Sequence, residues 1–153
     1  HYRIASACDV QHIKSSTALR IVSVHLKGYN PYEQNIVKKR KSQRAGDLEL
    51  EAYIEEALKN TDNLDAIVFM GDFNEDSDEM SRRDSRQNKL LDLGFDWDKT
   101  IDITEPRQQR KIDWIFCKNL SCERTQVLNH LHLANQDISA SDHAITATEL
   151  SMR

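Results

Sequence analysis

Four short stretches carry polar, chemically competent side chains at the ends of apolar runs. The run Asp65 to Asn74 reads as a buried strand that ends in Met70-Gly71-Asp72-Phe73-Asn74. In an extended chain, residues two apart share a face, so Asp72 and Asn74 are expected to project together while Phe73 points to the core. The carboxylate can hold a cation or take a proton from water, and the amide can position that water. The same pair would also suit an ordinary turn after a strand.

The second stretch is Ser141-Asp142-His143, just before a last apolar run. In a loop Asp142 could reach a metal and His143 a phosphate oxygen, since imidazole titrates near neutral pH. A polar loop with a surface histidine is the bland reading. Third is Asp113 inside Lys111-Ile112-Asp113-Trp114-Ile115-Phe116. A carboxylate in such a strand needs a partner. A histidine would serve, with one ring nitrogen held so that the other is aimed; backbone amides at a strand edge would serve equally. Fourth is His25 in Val24-His25-Leu26-Lys27-Gly28. It reads as a satisfied core histidine or as a catalytic one, and Lys27 with Gly28 beside it suits a phosphate.

Elements must bring these stretches together. Tyr2 to Ala7 and Leu19 to Leu26 read as strands around a polar turn at Lys14 to Thr17. After the Asn30-Pro31 breaker, Glu33 to Leu58 reads as a long amphipathic helix with a break near Gly46. Glu75 to Asp84 is an acidic loop, Ser85 to Leu93 a short helix closed by Gly94, and Thr100 to Gln109 an irregular crossing. Lys111 to Cys117, Thr125 to Leu133 and Ala144 to Leu150 complete the strands, with Asp137 to His143 a polar loop. The order implies a mixed sheet in an α/β or α+β domain.

The 153 residues suffice for one core, and no apolar run approaches the roughly 20 residues of a membrane span. The sequence starts at His1 without a secretory pattern, so compartment is not legible. With 21 Lys and Arg against 25 Asp and Glu, the net charge of −4 argues against general attraction to polyanions. A phosphate would have to be met locally. Arg82, Arg83 and Arg86, and the run Lys38-Lys39-Arg40-Lys41, are the candidate basic contacts, though solvated helix faces explain them as well. Cys8, Cys117 and Cys122 lack metal-ligand spacing and read as ordinary thiols.

Taken in order, V-H-L-K, a helix with an Arg, G-D-F-N, I-D-W-I and S-D-H before the last strand resemble the C-terminal half of the DNase I-like endonuclease/exonuclease/phosphatase superfamily. The likeness runs from about Leu19 to Leu150. It implies a four-layered α/β/β/α sandwich, of which residues 1–153 would supply about half of one domain. It also implies catalytic roles for His25, Asp72, Asn74, Asp113 and His143, a metal on Asp72 and Asp142, and substrate contacts from Lys27, Arg82 and Arg83. Magnesium is the implied cofactor, with manganese or calcium in its place. The implied reaction is in-line attack of water on a phosphoester, nucleic acid being the favoured substrate because GDFNEDSDE lacks the aromatic signature of inositol phosphatases.

The family's first-strand Asn and its metal-binding Glu do not occur upstream of His25, and Glu33 follows that strand. The missing N-terminal half is therefore an expected partner, and the chain by itself is expected to be nearly inactive. Two other readings stay open: an inactive family member serving as a binding or scaffold module, and a phosphomonoesterase or lipid phosphodiesterase of the same superfamily.

Overall fold

The computed structural model describes residues 5–28, 33–100, 102–107, 109–128, 131–133, 136–138 and 142–153. Tyr2 at the start of the first expected strand, the Asn30-Pro31 breaker and Ser141 lie outside them. The strands are β1 (Ser6–Gln11), β2 (Ala18–His25), β3 (Ala66–Asp72), β4 (Asp96–Trp97), β5 (Asp113–Lys118), β6 (Leu120–Leu128), β7 (Leu131–Leu133), β8 (Gln136–Ile138) and β9 (Ile145–Met152). The helices are α1 (Ile36–Ala57) and α2 (Arg86–Asp92), with a 3₁₀ turn over Ser77–Ser81.

Five strands form a mixed sheet in the order β1-β2-β3-β5-β4, in which only β2 and β3 run parallel. A parallel pair needs a crossover, and α1 supplies it. Asn35 caps α1 by accepting from the amides of Val37 and Lys38 at 3.1 and 3.2 Å. Gly46, Leu50, Ile54 and Ala57 form its buried stripe. Leu50, Ile54 and Ala57 pack with Val22, Val24, Ile67, Phe69, Trp114 and Phe116 on one face of the sheet. Each large side chain so buried contributes roughly 1.5–3 kcal/mol.

The opposite face carries Ala66, Val68, Ile115 and Cys117, which pack with Leu120 and Cys122 of β6. β6 pairs with β9 as a separate two-stranded layer, and β7 pairs with β8. The chain is thus a mixed α/β structure with part of a second sheet on the face away from α1.

Several boundaries differ from the sequence reading. Among the described residues the first strand spans Ser6–Gln11 and so runs beyond the expected end at Ala7. α1 is not broken at Gly46, because the missing side chain makes room for another residue: a Cβ there would lie 2.0 Å from Arg86 Nη2. β4 and β8 fall in stretches that carry no strand pattern of their own; both are very short, so they leave little to detect.

Candidate active site

Strand register builds the centre of the site. His25 pairs with Asp72 across β2 and β3, and Asp72 pairs with Asp113 across β3 and β5. Directly paired residues project to the same face, so the three side chains make a row across the sheet at its β2 and β3 ends. This face is the one turned toward β6 and β9. His25 Nε2 stands 3.4 Å from Asp72 Oδ2.

Asn74 joins the row by a turn and not by strand alternation, because β3 stops at Asp72. Its φ of +51° is left-handed, a conformation that Asn tolerates better than most residues. The Asn74 amide donates to Asp72 Oδ1 at 2.7 Å, and its Nδ2 donates to Asp72 Oδ2 at 2.8 Å and to the Leu26 carbonyl at 3.0 Å. The turn foreseen as the plainer alternative is present, and it holds the Asn74 side chain against Asp72. Gly28 is required beside it, since a Cβ there would meet Asn74 Oδ1 at 2.3 Å.

His143 approaches the row from the segment before β9. Its Nδ1 lies 2.8 Å from Asp113 Oδ2, the carboxylate-imidazole pair expected from the apolar setting of Asp113. Burial works to lower the His143 pKa, but Asp113, then Asp72 and Asp142, carry it above the ordinary imidazole value. Asp72 is also raised, first by its burial and next by the charge of Asp113, against bonds and charges from Asn74, His25 and His143.

Thr104 ties the two members of this pair together, and nothing in its sequence context announced it. Fully buried, its Oγ1 accepts from the amides of both Ile112 and Asp113 at 3.0 Å. Its carbonyl accepts from the amide of Ala144 at 2.7 Å. One residue thus anchors the backbone at Asp113 and next to His143.

Further polar groups brace the row. Lys111 and Asp98 form a buried ion pair at 3.2 Å. Asp98 also accepts from the amides of Ile115 and Thr100, and Lys111 Nζ donates to the Asp113 carbonyl. Burial drives the Asp98 pKa up and the Lys111 pKa down, and their mutual attraction opposes both shifts. Arg86 binds Asp47 and the carbonyls of Phe73, Lys27 and Gln43, which links the turns after β2 and β3 to α1. The expectation of a surface contact at Arg86 does not hold; the residue is 1% exposed and structural.

The other expected substrate contacts behave differently. Arg82 faces Glu75 at 3.8 Å and Asp84 at 3.3 Å, so carboxylates already engage it. Arg83 and Lys27 are exposed. Asp142 is exposed as well, 4.0 Å from Arg107. Among the described residues no group of three or more His, Cys, Asp or Glu could hold a metal ion. Cys8 is an exposed free thiol, and Cys117 and Cys122 are buried ones with their sulfurs 2.8 Å apart.

Comparison with known proteins agrees with this architecture. The structure is similar to a functionally unknown conserved protein from Enterococcus faecalis V583, at 17% identity and a TM-score of 0.67, covering 97% of this chain and 56% of that one. It is similar to a mannosyl-6-phosphatase of Bacteroides thetaiotaomicron, at 17% identity and a TM-score of 0.63, covering 98% and 57%. The human nocturnin catalytic domain, solved with bound sulfate, matches at 15% identity and a TM-score of 0.62, covering 99% and 53%. The chain thus spans little more than half the length of these structures. No curated protein matches its sequence significantly. The sequence itself matches the Endonuclease/Exonuclease/phosphatase family over residues 31–143, about three quarters of the chain and a span that holds Asp72, Asn74, Asp113 and His143, and the chain belongs to that family.

Proposed function

We propose that this chain is the C-terminal part of a phosphoester hydrolase, a phosphodiesterase with nucleic acid as its favoured substrate. The observation that carries the reading is the His25, Asp72, Asp113 row with His143 bonded to Asp113. Asp72, with its proton affinity raised by burial, is suited to receive a proton from attacking water. Asn74 holds that carboxylate and would orient the water. His143, biased to the imidazolium by Asp113, would place positive charge against a phosphoryl oxygen as charge develops there. His25 stands on the other side of Asp72, within reach of the leaving group.

A hard divalent cation, magnesium before manganese or calcium, suits the oxygen donors of Asp72 and Asp142 and would add charge stabilisation at the phosphate. The pKa of Asp72 is raised first by burial and next by the charge of Asp113, and a cation there would offset that charge. Two carboxylates do not complete a site, and the third belongs in this reading to the missing half of the domain. The chain alone is accordingly expected to turn over substrate far more slowly than a complete domain.

The experiment is hydrolysis of a generic phosphodiester and of plasmid DNA with magnesium or manganese, by this chain and by the longer protein containing its complete domain. Asp72→Ala/His143→Ala controls for contamination. Metal-dependent turnover that disappears in the double variant is expected in the complete domain. Turnover unaffected by that variant overturns the assignment.

A further inference from the structure

We propose that the cavity lined by Lys27, Gly28, Lys38, Lys39 and Lys41 is a second phosphate subsite, which takes the neighbouring phosphate of a single nucleic-acid strand whose scissile phosphate sits at Asp72 and His143. This rests on the hydrolase reading above and names its substrate class. The cavity holds about 400 Å³, and Glu33 and Ser42 complete its lining. Four lysines against one glutamate make it strongly positive in a chain whose net charge is −4. A concave, one-signed surface concentrates counter-ions, and lysine ammonium groups serve phosphate as point charges.

Two features separate this cluster from an ordinary solvated helix face. Among the described residues, Lys59 and Lys89 are tied to glutamates at 2.9 and 2.5 Å, whereas no such ion pair holds Lys27, Lys38 or Lys41. The acids nearby are turned to backbone amides: Glu33 accepts from Asn35 and Glu49 from Lys27. The lysines also come from separate segments, Lys27 from the stretch just after β2 and the others from the start of α1, and converge on one hollow.

The cavity shares a wall with the candidate active site. Gly28 lines it and packs so closely on Asn74 that a Cβ would meet the Asn74 side chain at 2.3 Å. Lys27 lies two residues beyond His25, at most about 7 Å along an extended chain. That is the scale on which successive phosphates of one strand follow each other, so a strand crossing the row delivers a second phosphate into the lysines. A lone phosphomonoester has no group to place there.

The test reads binding, not turnover. A fluorescent single-stranded oligonucleotide is titrated by anisotropy into the full chain in EDTA, at several salt concentrations. Lys38→Ala/Lys39→Ala/Lys41→Ala is compared with Lys14→Ala/Lys59→Ala/Lys118→Ala, which removes the same charge elsewhere. The first variant is expected to bind about tenfold or more weakly, and its log–log salt slope to shrink by about 0.7, the contribution of the one phosphate contact it loses. The second is expected to bind like the unmodified chain. Equal affinity and slope in all three, or equal loss in both variants, overturns the subsite. Lysine-dependent binding to anionic lipid vesicles without binding of the strand also overturns it. A complete domain that hydrolyses no phosphodiester, with this lysine-specific binding still shown by the chain, would remove the hydrolase reading and leave the subsite standing.

Discussion

Two polar clusters meet at the start of β5, and they are built on opposite plans. Around Lys111 and Asp98, each charge meets its opposite, and backbone amides and a carbonyl take up further bonding capacity. In the row at His25, Asp72 and Asp113, two carboxylates stand on neighbouring strands with imidazoles for company; burial raises the pKa of Asp72 as it does that of Asp98, but the next cause at Asp72 is the like charge of Asp113, whereas at Asp98 it is the opposing attraction of Lys111. The first plan is that of a brace. The second leaves negative charge incompletely answered, which costs stability and leaves capacity for a proton, a cation or a substrate. Polar burial alone therefore does not mark a site; what marks it is burial without full compensation.

The largest expected effect comes from breaking the brace. Lys111→Met strands a buried carboxylate and should cost about 3–5 kcal/mol of stability, whereas Lys111→Met/Asp98→Leu should recover much of that loss. Denaturant unfolding of the two variants checks this, and equal stability would show that the pair is not a closed unit. The row should respond the other way. In the complete domain Asp72→Ala is expected to lower phosphodiester hydrolysis by about 100-fold or more, while its unfolding midpoint holds or rises. A fall in stability matching that of Lys111→Met would erase the contrast between the clusters.

Thr104→Val tests the tie between the Asp113 and His143 segments. It leaves the Ile112 and Asp113 amides without their acceptor and should cost about 1–3 kcal/mol; amide exchange at those two positions, faster than in the parent, is the direct readout. The smallest effect is a titration. His143 has its pKa raised in the folded chain, so the stability it contributes is full below the ordinary imidazole value and is lost as pH rises through the folded value. Asp113→Asn should lower that folded value and abolish this part of the pH dependence. NMR titration of His143 tracks it, and an unchanged midpoint would detach the imidazole from Asp113.

Much of the row was legible because strand ends and polar residue types coincide in a sequence. Asp72 and Asp113 each interrupt or close an apolar run, and their pairing follows once β3 and β5 lie side by side. Asn74 was legible as a residue but not in its geometry, since the left-handed turn depends on where the strand stops. The supporting groups were not legible. Thr104 acts through backbone atoms of other segments, and Arg86 looks identical in sequence to its neighbours Arg82, half-buried, and Arg83, exposed. Its burial depends on Gly46, forty residues earlier, which reads locally as a helix breaker. Asp98 and Lys111 find each other only because β4 pairs with β5 at Asp96 and Trp97.

The register of β2 on β3 also limits how the length of this chain can change. Residues can be added or removed in the turn between β1 and β2, and the row still forms. A single residue inserted between Leu19 and Val24 would reverse the faces of the rest of β2, turning His25 toward α1 and a core valine toward Asp72. The turn ahead of β2 is free to vary in length, while β2 tolerates substitution but not a change of count.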